Sequence, residues 1–277
     1  MNDTNDFALD MISRKLEEGV AEIFKGENYQ RYLKTLSYFR KYSLNNSLLI
    51  FMQRPDATLV TSYSNWKKLN RYVNKGEKAI RILAPLKKKK DKTEGNDDDD
   101  DDIILGYRAA SVFDVSQTNG SDVSLSLAKP LETAVDNYQL FINALLLASP
   151  VKIHFNRIEG ETNGFYRPID KDIVVKEGMS ESQTVKTVLH EIAHAIMHAQ
   201  ETERNERTRI RQEIEAESVA YSVSSYYGID TSEYSFNYIA TWSSSSELPE
   251  LKNSLQTIRS TSSRLIETIN SIISPGT

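Results

Sequence analysis

His190-Glu191-Ile192-Ala193-His194 is the stretch of this 277-residue chain that decides how its C-terminal half is read. Residues four apart on an α-helix stack one turn above each other, so His190 and His194 face one point and can grip one metal ion. Two imidazoles and a carboxylate at this spacing are the zinc-binding, water-activating arrangement, with Glu191 placed to take a proton from a water on the metal. The chain has only four histidines, and His190, His194 and His198 fall within nine residues, which chance clustering explains poorly. Val185, Val188, Leu189, Ile192 and Ile196 supply an apolar stripe at helical spacing. Ser180, with Gln183 three residues on, predicts a capping-box start for that helix.

Two histidines leave zinc short of a ligand, since catalytic zinc keeps three protein ligands. The extended pattern with a glycine three residues after the second histidine and another histidine three beyond is excluded, because Met197 and Gln200 stand there. His198 lies two turns, about 12 Å, from His190 on the same helix and cannot replace it. The run Arg211-Gln-Glu-Ile-Glu-Ala-Glu217 on the next predicted helix offers Glu213, Glu215 and Glu217. Glu213 and Glu217 share a face, and Glu215 points elsewhere. The expected assignment is Glu213 on the metal and Glu217 accepting the free N–H of a ligating histidine, with the exchanged roles as the alternative. An H-E-x-x-H also arises in helices that bind nothing, and an E-x-E-x-E run is ordinarily a solvated face; their occurrence on consecutive helices favours a Zn2+ site. An intact ligand set does not by itself entail turnover, although a zinc metallopeptidase is the activity it fits. His154 and His198 read as structural histidines. Tyr166 and Tyr221 read either as oxyanion donors near the zinc or as ordinary packing. Ile173–Val175, a strand just before the histidine helix, is placed to act as the sheet edge that holds an extended substrate chain.

Outward from this site, the composition is that of a globular chain, with 39% hydrophobic residues and a net charge of −5. Cysteine is absent, so disulfides and thiolate ligands are excluded. No leader-like stretch and no apolar run near ~20 residues is present, which predicts a cytoplasmic protein without a membrane partner. Helical periodicity predicts helices over 7–24, 29–51, 131–147, 205–227 and in the tail beyond the Ser243–Ser246 linker, with Gly26, Pro55 and Gly228 as punctuation. Ile80–Leu86 and Ile103–Val115 predict paired strands, and Val151–Phe155 and Ile173–Val175 two more. Lysines, a Gly-Asn pair and six consecutive aspartates across 87–102 read as a disordered hairpin tip. Gly, Ser and Asn accumulate over 119–130, so the expected domains are 1–125 and 126–277. The predicted class is α+β: an N-terminal α+β domain, then a mainly helical zincin-like domain with a small sheet.

From Arg31 to Lys90 there are 15 Lys or Arg against Asp56 and Glu77, a balance of +13 that leaves −18 elsewhere. Eight aromatics are interleaved there: Tyr32, Tyr38, Phe39, Tyr42, Phe51, Tyr63, Trp66 and Tyr72. Cations that follow phosphates and rings that stack on bases are what single-stranded nucleic acid binding needs, whereas the same residues also suit a core and a solvated face. Tyr42-Ser-Leu-Asn-Asn-Ser-Leu-Leu-Ile, Gln53-Arg-Pro-Asp-Ala-Thr, Trp66, Val73-Asn-Lys-Gly-Glu-Lys-Ala-Ile-Arg-Ile-Leu-Ala-Pro, and Val112-Phe-Asp-Val-Ser-Gln-Thr within 107–118 resemble the N-terminal domain of the ArdC antirestriction family. Gly164-Phe-Tyr through the His190 motif to Glu217 resembles that family's zinc metallopeptidase-like domain and, more distantly, ImmA/IrrE peptidases. The resemblance implies a protein of conjugative plasmids or transposons that binds single-stranded DNA and protects it on entry to a new host. It implies His190, His194 and Glu213 as zinc ligands and Glu191 as catalytic base. Asn46, Trp66, Lys75, Lys78 and Arg81 are the expected DNA contacts, from matching motif positions and their chemistry. The charged insert departs from the family's pattern. The alternative expectation is a site-specific zinc protease that cleaves a regulatory protein, with DNA as tether or activator.

Overall fold

The structure, a computed structural model, describes residues 2–88, 103–122, 138–201, 205–229, 231, 234, 236 and 238–274. The chain divides into two compact units, Met1–Gly19 with Asn45–Val123 and Val20–Leu44 with Ser124–Thr277. A single cut in the sequence therefore does not describe the segment 20–44, which holds the end of α1 (Asn2–Ile23) and all of α2 (Asn28–Tyr38). The continuous helix expected over 29–51 is broken, and α3 (Leu44–Gln53) starts afresh. No Pro or Gly marks that break; its cause is tertiary. Arg259 donates to the carbonyls of Arg40 and Tyr42 at 3.3 and 3.0 Å, and Ser263 donates to that of Arg40 at 3.2 Å. Carbonyls released from the helix ladder are thus satisfied within the second unit, by α9 (Leu248–Ile273).

In the first unit α3 ends ahead of Pro55, and β1 (Val60–Thr61), α4 (Tyr63–Lys68) and β2 (Arg71–Val73) follow. β3 (Ile80–Lys88) and β4 (Ile103–Asp114) form the expected antiparallel pair, from Ile80 opposite Val112 to Lys88 opposite Ile103. The rest of the charged insert, 89–102, lies outside the described residues. β1 joins β4 to give the order β1-β4-β3, and β5 (Thr118–Gly120) pairs with β2. β3 is an edge strand, and amides of α3 cover it. Asn46 exchanges hydrogen bonds with the backbone of Leu83 at 2.9 and 2.8 Å, and Gln53 does the same with Arg81 at 2.8 and 2.9 Å. Asp114 is buried, and its carboxylate accepts from the backbone N–H groups of Thr58, Leu59 and Ser116. Gln117 closes that knot onto the Asp114 N–H, the Glu77 carboxylate and the Lys78 carbonyl.

In the second unit α5 (Tyr138–Ala148) comes first; the start expected for it, 131–137, lies outside the described residues. β6 (Lys152–Asn156), β7 (Gly164–Arg167) and β8 (Asp172–Lys176) form a sheet of order β6-β8-β7, parallel between β6 and β8 and antiparallel between β7 and β8. The strand 173–175 is therefore central and paired on both sides, so it cannot receive a substrate chain. The edge is β7, a four-residue strand too short to show in a reading of apolar runs. α6 (Glu181–Met197) packs on β7 and β8, and α7 (Glu206–Tyr226) packs on α6. α8 (Ile239–Ser244), where a linker was expected to begin, buries Ile239 and Trp242, and α9 (Leu248–Ile273) covers α7 beside α2. Tyr29, Tyr32, Leu33 and Leu36 of α2 are fully buried, and the Tyr29 hydroxyl shares a 2.7 Å hydrogen bond with Ser218 of α7.

Candidate metal centre and nucleic-acid surface

α6 starts where its capping residue predicts, with the Ser180 hydroxyl accepting the Gln183 N–H at 3.3 Å. Its apolar stripe, Val185, Val188, Leu189 and Ile192, is buried, and this fixes the rotation of the helix. His190 and His194 then lie on the flank turned toward α7, their side chains 19% and 15% exposed. The two Nε2 atoms are 3.0 Å apart. α7, whose N-cap Asn205 accepts the Thr208 N–H, brings Glu213 to 3.3 Å from His190 Nε2 and 3.6 Å from His194 Nε2. A tetrahedral ion with bonds of about 2.0–2.1 Å separates its ligand atoms by about 3.3 Å. The nitrogen and carboxylate atoms here match that spacing, and His190, His194 and Glu213 each offer one ligand atom within 4.8 Å of those of the other two. The donor set fits a divalent cation.

Glu217, one turn beyond Glu213, lies behind the site: one oxygen is 3.1 Å from His190 Nδ1 and the other 3.6 Å from Lys186 Nζ. This contact holds the ring through Nδ1 and leaves Nε2 turned toward Glu213 and His194, where an ion would be held. Electrostatics reinforce the arrangement. Burial alone would lower His190, but hydrogen bonds to Glu213 and Glu217 and the charge of Glu191 raise it to about 10. Hydrogen bonds to His190 and His194 hold Glu213 well below the usual carboxylate range. Carboxylates that stabilise an imidazolium stabilise a bound cation for the same reason.

Glu191 is buried on the other side of the histidines. Burial pushes its carboxyl above the usual range, while the histidine charges and the backbone N–H of Tyr166 pull it back. It lines a cavity of about 490 Å3 together with Gly164, Phe165, Tyr166, His190 and His194. Gly164 makes this proximity possible. A Cβ there would lie 2.6 Å from Thr187 Cγ2 and 3.0 Å from the Val174 carbonyl oxygen, so only glycine lets β7 approach α6 this closely. A second cavity of about 510 Å3 lies along α7, lined by His190, Arg209, Glu213, Phe236 and Tyr238.

The remaining singled-out residues have structural surroundings. His198 caps the end of α6, with its ring 5.4 Å from that of His194; burial and that neighbour lower it to about 4, so it is neutral. His154 on β6 is 3.7 Å from Asp172. Glu215 points away from the metal site, as its spacing predicts, and is buried against Arg211 at 3.0 Å. Tyr221 packs edge-on against Tyr234 and Phe236, whereas Tyr166 lines the Glu191 cavity.

The expected DNA contacts divide. Trp66 requires correction: it is fully buried, its Nε1 donates to the Phe113 carbonyl at 2.8 Å, and the Arg71 guanidinium is 5.9 Å from its ring. It offers no face to a base. The only apolar residue between Ser64 and Lys68 on a short polar helix is its buried anchor, and that signal is present in the sequence. Asn46 also departs from expectation, because its amide is committed to Leu83 on β3. Lys75, Lys78 and Arg81 are exposed. Of the eight aromatics in the basic segment, Tyr63 and Tyr72 are exposed, 56% and 55% accessible, on α4 and β2, which pack together and also carry exposed Lys67 and Lys68; Tyr107 on β4 is a further exposed ring of this unit.

Comparison with known proteins gives matches over both halves. Residues 3–113 match the N-terminal domain of anti-restriction factor ArdC, and residues 148–233 match a peptidase family described as an IrrE N-terminal-like domain. An uncharacterized protein of Bacillus anthracis is 28% identical over 278 residues, covering 86% of this chain; the chain spans about half the length of that relative, 47%. The Mn(II)-bound crystal structure of the antirestriction ArdC protein from the R388 plasmid superposes with a TM-score of 0.61 at 15% identity, covering 96% of this chain and 99% of that one. The metal-free structure of the same protein gives 0.51 at 18% identity, covering 83% and 84%. At these identities the likeness establishes the fold.

Proposed function

We propose that this chain, whose residues 3–113 match the ArdC N-terminal domain and whose residues 148–233 match an IrrE-like peptidase domain, is an ArdC-like antirestriction protein whose first unit binds single-stranded DNA. The observation that carries this reading is the open surface of α4, β2 and the following turn. Tyr63 and Tyr72 are exposed there beside Lys67, Lys68, Lys75 and Lys78, and none of these lysines has an ion-pair partner among the described residues. Unneutralised cations next to accessible rings suit a backbone of phosphates with stacked bases. The protein would act in the cytoplasm on DNA of a mobile element as it enters as a single strand; no helix among the described residues is long and apolar enough to cross a membrane.

The test is binding of a labelled single strand across a salt series. Affinity should fall steeply with salt, and Tyr72→Ala should weaken it about 5–150-fold, the value of one stacked base at ~1–3 kcal/mol. Binding that ignores salt, or a Tyr63→Ala/Tyr72→Ala protein with unchanged affinity, removes the claim.

The second reading, a zinc protease that cleaves a regulatory protein, is favoured by Glu191. Zinc held by His190, His194 and Glu213 would supply Lewis acidity at a substrate carbonyl and at a water. Glu191, raised by burial and steadied by the Tyr166 N–H, suits a group that takes a proton from the attacking water and returns it to the leaving amine. β7, the outer strand of its sheet, would offer an extended substrate chain the backbone groups of that edge other than the Tyr166 N–H. Glu191→Gln should abolish peptide hydrolysis while metal content stays near that of the parent protein, and hydrolysis that persists in that variant sinks the reading.

A further inference from the structure

α1, α3 and the β3–β4 hairpin enclose a cleft of about 390 Å3, wholly within the first unit. That volume lies within the ~300–1,000 Å3 range of small-ligand pockets. Its apolar lining comes from Ile12, Leu49, Met52 and Ala109. Gln53 also reaches the cleft, but its amide is committed: its oxygen accepts the Arg81 N–H at 2.9 Å, and its nitrogen donates to the Arg81 and Leu49 carbonyls at 2.8 and 2.7 Å. The mouth carries two exposed cations, Lys15 and Arg81. Ser111 accepts a 2.7 Å hydrogen bond from the Arg81 guanidinium and so orients it. No acidic residue lines the cleft, and neither cation has an ion-pair partner among the described residues.

An apolar slot beneath two unneutralised cations selects a flat, weakly polar group flanked by negative charge. We propose that the cleft receives one unstacked base of single-stranded DNA, with the phosphates on either side of it held by Lys15 and Arg81. The proposal rests on the reading that the first unit binds single strands, and adds a second kind of contact: a base taken out of the stack, in addition to those stacked on Tyr63 and Tyr72. A fatty carboxylate also combines apolar and anionic character, but it brings one charge to a mouth that offers two. Since the described lining below the two cations has no uncommitted hydrogen-bonding group, recognition of the base is by shape and burial. It tolerates any sequence and favours the larger purines through their greater apolar area.

The experiment uses the full chain and oligonucleotides with 2-aminopurine at successive positions, whose fluorescence rises when the base leaves the stack. The parent protein should raise it at one position or more, and an abasic substitution there should weaken binding about 5–150-fold. Ala109→Leu, which fills the cleft, should suppress the rise. Lys15→Gln, at an exposed position, should reduce the slope of log affinity against log salt by about 0.7. If the parent protein binds no oligonucleotide, the reading of the first unit itself fails. If it binds but an abasic strand binds equally well, or a folded Ala109→Leu protein gives the same fluorescence rise, the cleft proposal alone is overturned. Should Ala109→Leu lower the melting temperature, the abasic strand on the parent protein and the salt slope of Lys15→Gln decide. Decanoate that binds without displacing the oligonucleotide also overturns it.

Discussion

Glu213 and Glu217 are one turn apart on the same helix and have different surroundings. Glu213, 64% exposed, faces the Nε2 atoms of both histidines; Glu217, 17% exposed, is held between His190 Nδ1 and Lys186. Removing an orienting carboxylate costs about 10–100-fold in metal affinity, whereas removing a ligand takes away a bond to the ion. Titration of the metal-free protein with Zn2+ or Mn2+ should therefore show a larger loss for Glu213→Ala than for Glu217→Ala. Equal losses would contradict this division. Acidity gives a second check at the same scale. His190 in the metal-free protein is raised to about 10, so at neutral pH it holds a proton that a cation must displace. The proton is bound before the metal and released with it, so affinity should rise with pH, by about tenfold per unit for one proton displaced. A flat affinity between about pH 7 and 9 would mean that His190 is already neutral in the metal-free site.

At the scale of elements, the decisive contact is that of β7 with α6. Gly164→Ala places a methyl group against Thr187 and, less forgivingly, against the Val174 carbonyl oxygen, so β7 must shift. The expected cost is about 1–3 kcal/mol of stability, measured by chemical denaturation, with a larger proportional loss of any Glu191-dependent hydrolysis than of metal binding. A stability equal to that of the parent would show that β7 is free to move. The histidine helix, its neighbour α7 and the β3–β4 pair were legible in the sequence because periodicity, capping by Ser180 and the Ile- and Val-rich character of the paired strands are local signals. β7 was not, because four residues of mixed character show no alternation beyond chance. The break between α2 and α3 was not either, because its carbonyls are satisfied by Arg259 and Ser263, over two hundred residues away. Trp66 was expected at DNA from its motif position and chemistry, when the polarity of its own short helix already indicated a buried anchor. The grouping of Glu213 and Glu217 beside the histidines was legible because one helical face brings both to the same side of α7.

At the scale of the whole molecule, the segment 20–44 makes the chain order of the two units differ from their composition. Tyr29, Tyr32, Leu33 and Leu36 are buried in the second unit, and Phe24 stacks on Tyr29 at 5.2 Å and meets Trp242 edge-on at 5.7 Å. Each such side chain contributes about 1.5–3 kcal/mol when fully buried, so together they approach the ~5–15 kcal/mol that stabilises an ordinary domain. A fragment of residues 126–277 therefore retains His190, His194 and Glu213 but leaves the part of α7 that α2 covers exposed. It should show little cooperative melting by circular dichroism and bind an apolar dye strongly. Joining residues 20–44 to 124–277 through a short flexible linker should restore both the cooperative transition and divalent-metal binding. If 126–277 alone melted like the corresponding part of the full chain, α2 would be an accessory to the second unit. Recovery only with the segment would make residues 20–44 as necessary to the metal centre as the helices that carry its ligands.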